Sequence, residues 1–72
     1  MTKRLCGVFT PQEQANFLRA VHGNVLAESV AENKRDAMVA NRNATEHHVA
    51  YWTDVVRCVR GESCVFEWQP SA

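Results

Sequence analysis

Several absences narrow the reading before any pattern is traced. No run is long and apolar enough to span a bilayer, and the opening MTKRLCGVF lacks the long apolar core of a secretory signal. The expectation is a cytoplasmic chain without membrane association. Net charge is absent too: eight Lys and Arg balance eight Asp and Glu, so no overall field draws nucleic acid or an anionic surface. Three cysteines are too few, and odd in number, for a disulfide framework, which points to free thiols in a reducing compartment. Three glycines and two prolines leave no glycine-rich turn to hold a phosphate or an oxyanion. At 72 residues the chain makes one small domain, whose core supplies a margin of only about 3–5 kcal/mol.

What is present is mostly helix. Residues Lys3 to Phe9 favour a short strand, with Leu5 and Phe9 on one side and Arg4, Cys6 and Val8 on the other. Thr10-Pro-Gln-Glu13 is the clearest boundary: Thr10 suits an N-cap, Pro11 the first helical position, and Glu13 the returning arm of a capping box. From Pro11 to about Asn41 a stripe runs through Ala15, Leu18, His22, Val25, Leu26, Val30, Asn33, Ala37 and Ala40. Its continuity predicts one long helix, although Gly23 costs about 1 kcal/mol in a helix interior and marks a place for a bend. Asn43 or Thr45 can cap a second helix, whose seam of Val49, Trp52, Val56 and Val59 ends at Gly61. CVFEW (64–68) alternates as a closing strand, and residues 69–72 read as a frayed tail.

The fold class is therefore α+β and helix-dominated, in the order β-α-α-β, with a helical hairpin and two short terminal strands. The arms are unequal, roughly 46 Å against roughly 26 Å at 1.5 Å per residue. The longer arm must bend, project towards a partner, or pack on a second copy, and the second copy is the favoured expectation. His22, Leu26, Val30 and Asn33 are the candidate dimer interface, with His22 and Asn33 able to set register as polar residues do in helical seams.

The segment TEHHVAYWTDVVRCVRGESC holds two histidines and two cysteines. On a helix His47 and Cys58 point the same way but lie on the order of 16 Å apart, far beyond zinc-bond lengths of about 2 Å. Adjacent His47 and His48 diverge by about 100°. A zinc site would need Cys58, Cys64 and a distant Cys6 or His22 to converge, so neither metal nor cofactor is expected. Asp54, one turn before Cys58, disfavours a thiolate there, with Arg57 partly offsetting it. Enzymatic activity is not expected, and a thiol switch at Cys58 and Cys64 is a minor alternative.

Recognition remains. Tyr51, Val55 and Cys58 form a second apolar row beside the Trp52 seam. Either the strands and the other helix cover both rows, or one row docks a partner, where Tyr is a favoured anchor. Tyr51, His47 and Val55 are the candidate partner-binding residues, with Arg35 and Arg42 as a basic flank, while Trp52 is assigned to the core. The strand at 3–9, a capped helix, then Gly23 and Glu28 opening a second helical run resemble the ribbon-helix-helix repressors over roughly residues 3–40. That resemblance implies a dimer reading the major groove from the Arg4, Cys6 and Val8 side, in which Arg4 alone can make a bidentate base contact. In size and neutral character the chain also resembles inhibitors and regulators encoded by phages and mobile elements, anti-CRISPR proteins among them. The favoured expectation is a regulator or inhibitor that binds a larger protein target, with DNA-binding transcriptional regulation as the alternative.

Overall fold

The computed structural model describes residues 3–7 and 9–70. Strand β1 (Lys3–Leu5) leads into helix α1 (Pro11–His22), helix α2 (Asn24–Ala40), helix α3 (Glu46–Val59) and strand β2 (Glu67–Gln69). The helix-dominated α+β class with two terminal strands is as the patterning implies, and α2 and α3 form the helical hairpin. The long helical arm, however, is two helices.

The division falls at Gly23, which adopts φ 82 and ψ 167, a conformation open to glycine alone at low energy. Its amide caps α1 by donating to the Arg19 carbonyl at 2.9 Å, and its carbonyl starts α2 by accepting from Ala27 at 2.9 Å. The break also resets the helical phase. Ala15 and Leu18 are buried on α1, but on α2 the buried positions are Ala27 and Ala31. Val25 and Leu26 turn outward, 83% and 60% exposed. Beyond Gly23 only Val30 of the stripe packs against the core, while Val25, Leu26, Asn33, Ala37 and Ala40 are exposed and the small side chains of Ala27 and Ala31 take the buried face.

Once the arm is broken, the hairpin arms match: 17 residues in α2 against 14 in α3. The length mismatch that favoured a second copy is thus resolved within one chain, by bending. Arg60 at the end of α3 bridges Glu28 (3.0 Å) and Glu32, one turn apart near the start of α2, which fits an antiparallel pair. Arg19 of α1 donates to the Cys58 and Val59 carbonyls, covering the negative end of α3. The core these contacts enclose is small: Ala15, Leu18, Ala27, Ala31, Val55, Val56, Cys58 and Val59, with Val30, Tyr51, Trp52 and Cys64 packed partly buried against it.

Helix ends follow local chemistry. Thr10 and Glu13 form the expected capping box, at 3.2 and 3.0 Å. At α3 the cap is Thr45, not Asn43, and the returning group is His48, whose Nδ1 accepts from the Thr45 amide at 3.4 Å. At the other end Glu62 N–H reaches the Arg57 carbonyl (2.8 Å) and Gly61 N–H the Cys58 carbonyl (3.1 Å), a Schellman closure with Gly61 at φ 85.

The closing segment then doubles back along α3, and Asp54 holds it there. This carboxylate is 1% exposed and accepts from the Val65 amide (3.0 Å), the Phe66 amide (3.2 Å) and the Trp68 indole Nε1 (2.7 Å). So held, β2 pairs with β1 in parallel, Lys3 opposite Glu67, Arg4 opposite Trp68 and Leu5 opposite Gln69. Both strands are shorter than the patterning implies. β1 stops at Leu5 before Gly7 (φ 81), and Val8 lies outside the described residues. The run 64–66 is not strand; its amides at 65 and 66 go to Asp54 instead of a ladder. Gln69, expected in a frayed tail, is paired, and its carbonyl accepts from the Cys6 amide at 3.0 Å. Residues 71 and 72 lie outside the described residues.

Asp54→Ala strips three donors of a charged acceptor, an effect of about 3–5 kcal/mol, comparable to the whole margin of so small a core. The variant is expected to be unfolded or near its midpoint at room temperature, and Asp54→Asn, which keeps one acceptor oxygen, to fall between it and the parent. Urea titrations followed by circular dichroism check this; a midpoint for Asp54→Ala equal to the parent's would refute the role.

Candidate functional site

An open cleft of about 380 Å³ lies between the β1–α1 connection and the first turns of α3, lined by Cys6, Gly7, Phe9, His47, His48, Tyr51 and Trp52. The helical period builds one wall, since His47 and Tyr51, and likewise His48 and Trp52, are four residues apart and share a face of α3. The opposite wall comes from the turn that leads to Thr10.

Tyr51 ties the two walls. Its hydroxyl donates to the Phe9 carbonyl at 3.0 Å, and its ring meets those of Trp52 and Trp68 edge-on, with centroids 5.5 and 5.6 Å away. Trp68, oriented by Asp54, also meets the His47 ring edge-on at 5.3 Å. Burial, with the charges at Cys6 and Glu13, pushes the Tyr51 phenol up from its ordinary 10.0 to about 12. Burial and Glu13 likewise raise the Cys6 thiol, whose Sγ donates to the Gln69 carbonyl at 3.1 Å. The cleft's hydroxyl, its Cys6 thiol and the Nδ1 of His48 are therefore hydrogen-bonded within the chain. What they leave open is mainly aromatic surface, with Phe9 at the rim.

Of the partner-binding candidates, the structure brings His47 and Tyr51 together in this cleft. Val55 is elsewhere: it is fully buried in the core and offers a partner no surface. Arg35 is half-buried and pairs with Asp36 at 3.1 Å, and Arg42 is exposed in the connection between α2 and α3. Phe9 and His48 join His47 and Tyr51 there, and Trp52, expected in the core, packs partly buried against it while also lining the cleft. The paired i, i+4 spacing in HHVAYW carried the signal for His48 and Trp52, while Phe9 depends on the fold. Among the dimer-interface candidates, His22, Leu26 and Asn33 are exposed and Val30 packs partly buried against the core. Phe17, Val21 and Val25 add exposed apolar surface near the Gly23 break.

The cysteines behave as a pair and a singleton. Cys58 and Cys64 bring their sulfurs to 2.7 Å, while Cys6 bonds to β2. Burial first, then the hydrogen bond and charge of Cys64 and the charge of Asp54, push the Cys58 thiol up to about 12; the cation that opposes this is Arg19 rather than Arg57. With Cys64 reduced beside it, Cys58 therefore keeps its proton at neutral pH. Among the described residues no group of three or more His, Cys, Asp or Glu is placed to hold a metal ion. Among the described residues no helix is long and apolar enough to cross a membrane. Comparison with known proteins found no match to a family model, to a characterised protein or to a solved structure.

Tyr51 is the sole tyrosine, so its titration can be followed directly by phenolate absorbance. A folded pKa raised above the unfolded value stabilises fully below pH 10 and ceases to do so as pH climbs towards 12. Phenolate formation is expected to be delayed above pH 10 and to accompany alkaline unfolding. A midpoint at the free-tyrosine value, with circular dichroism unchanged, would contradict the half-buried, hydrogen-bonded phenol.

Proposed function

We propose that this protein is a non-enzymatic regulator or inhibitor that acts in the cytoplasm by binding a larger protein, of the kind encoded by phages and mobile elements. The partner docks at the cleft of Phe9, His47, Tyr51 and Trp52 by inserting an apolar or aromatic side chain. One observation carries this reading: the Tyr51 hydroxyl and the His48 Nδ1 are used inside the chain, so the cleft offers shape and aromatic edges more than reacting groups. Rigid aromatic surface of that kind suits an interface anchor, where Tyr and Trp are enriched. The exposed apolar residues around the Gly23 break, Leu26 among them, support self-association as a second contact.

The test is capture of partners from the native host with the parent and two cleft variants, His47→Ala and Phe9→Ala. Both variants are expected to retain the parental circular dichroism spectrum and to lose at least about tenfold in partner recovery, near 1.4 kcal/mol. Equal recovery by parent and variants would remove the cleft from the interface. Light scattering on the same samples is expected to exceed the monomer mass of 8.1 kDa; a value at that mass removes self-association.

The ribbon-helix-helix reading is kept as second because the helix break at Gly23 gives the strand-helix-helix order it requires. Against it, β1 pairs with β2 of its own chain, Arg4 lies over the Phe66 ring at 3.9 Å, and Glu28 bridges Arg60. Selection of binding sites from random duplexes separates the two readings: no enriched site is expected. A defined site lost on Arg4→Ala, with affinity falling steeply in salt, would establish the DNA reading instead.

A further inference from the structure

We propose that Cys58 and Cys64 are a dithiol–disulfide pair that reacts with low-molecular-weight disulfides and, when oxidised, staples the closing segment to α3. The geometry is close to what the bond needs. The two sulfurs stand 2.7 Å apart across the Gly61 turn, about 0.7 Å beyond a bonded pair. The turn is held by the Schellman bonds and by Arg57, whose Nε donates to the Ser63 carbonyl at 2.8 Å. Asp54 fixes residues 65 and 66 immediately beyond. The backbone on both sides of the pair is therefore already in place.

Access distinguishes the two thiols. Cys58 is buried, 3% exposed, whereas Cys64 is half-buried and lines a second cleft of about 220 Å³ with Thr10, Pro11, Gln12, Phe66 and Trp68. That cleft admits a small disulfide to Cys64. In the first step Cys64 loses its proton, its sulfur attacks one sulfur of the incoming disulfide, and the other leaves as a thiolate that takes up a proton. In the second step Cys58 gives up its proton and attacks the Cys64 sulfur, expelling the remaining thiolate. Two protein thiols are oxidised by two electrons and one small disulfide is reduced to two thiols. Burial and Asp54 still hold the proton on Cys58 in the mixed disulfide, but the hydrogen bond and charge of Cys64 no longer do. The first step therefore eases the second, which the 2.7 Å sulfur separation makes intramolecular.

The experiment treats the whole chain with excess oxidised glutathione, then alkylates remaining thiols and maps peptides by mass spectrometry. The expected result is a Cys58–Cys64 linkage with Cys6 alkylated, and a melting temperature raised by at least about 5 °C that dithiothreitol returns to the starting value. Cys58→Ser is expected to accumulate the glutathione adduct at Cys64, and Cys64→Ser to leave Cys58 unmodified in the folded state. The proposal is overturned if all three thiols remain alkylatable, if Cys6 is the linked residue, or if the linked form melts at or below the reduced one. Because the linkage is read on the parent chain, poor folding of either serine variant does not obscure the result.

Discussion

A single buried carboxylate organises what the helices leave unfinished. After α3 the chain must turn and return along the bundle, and its amides at 65 and 66 have no ladder to join. Buried main-chain donors without acceptors are costly, so a segment of this kind needs acceptors from elsewhere. Asp54, in the middle of α3, supplies them with both oxygens and adds the Trp68 indole. Charge-assisted bonds of this type are the strong class. Everything downstream inherits that placement: the register of β2 on β1, the anchoring of β1 at all, and the position of Trp68 against His47 and Tyr51. The candidate docking cleft is in this sense a consequence of Asp54, although Asp54 does not line it.

The helices themselves are held by small residues and by their ends. Three alanines in the buried cluster let the helices pack closely but bury little area each, so hydrophobic burial alone gives a thin margin. Polar groups at the helix ends supplement it. Arg19 sits on the carbonyls that end α3, and Arg60 joins α3 to two carboxylates of α2. The Arg60 bridges are exposed and individually weak, but they connect elements whose apolar contact is limited. The same thinness explains why one glycine conformation has such reach. Gly23 turns α1 back on the hairpin, which brings Arg19 to α3 and Phe9 to Tyr51.

The chemistry-bearing side chains have been drawn into structure in different ways. His48 replaces the usual carboxylate of a capping box, Tyr51 ties α3 to the β1–α1 connection, and Cys58 is buried beside Asp54. In each case the polar group is engaged by a partner within the chain. The binding role proposed above rests on the aromatic surface that these hydrogen bonds support. Cys64 differs, being half-buried, close to its partner thiol and in the lining of the second cleft.

Local order was legible in the sequence because it rests on near-neighbour chemistry. The Thr10–Glu13 capping box, the start of α1 at Pro11, the Gly61 stop and the seam of α3 each depend on residues within a few positions of one another. His47 and Tyr51 could be placed together for the same reason, by helical period. Gly23 could be marked as the place for a bend, but that the arm breaks there, the alanine face of α2 and the core position of Val55 could not be read, because a helical stripe says which residues share a face but not which face will be covered. That was decided by how closely α1, α2 and α3 can approach, which only the packed chain determines. The parallel pairing of β1 with β2 and the convergence of Phe9, Tyr51 and Trp68 are likewise tertiary. They join residues some forty to sixty positions apart through the hydrogen-bonding demands of a returning segment, and no local pattern encodes where a buried carboxylate will find its donors.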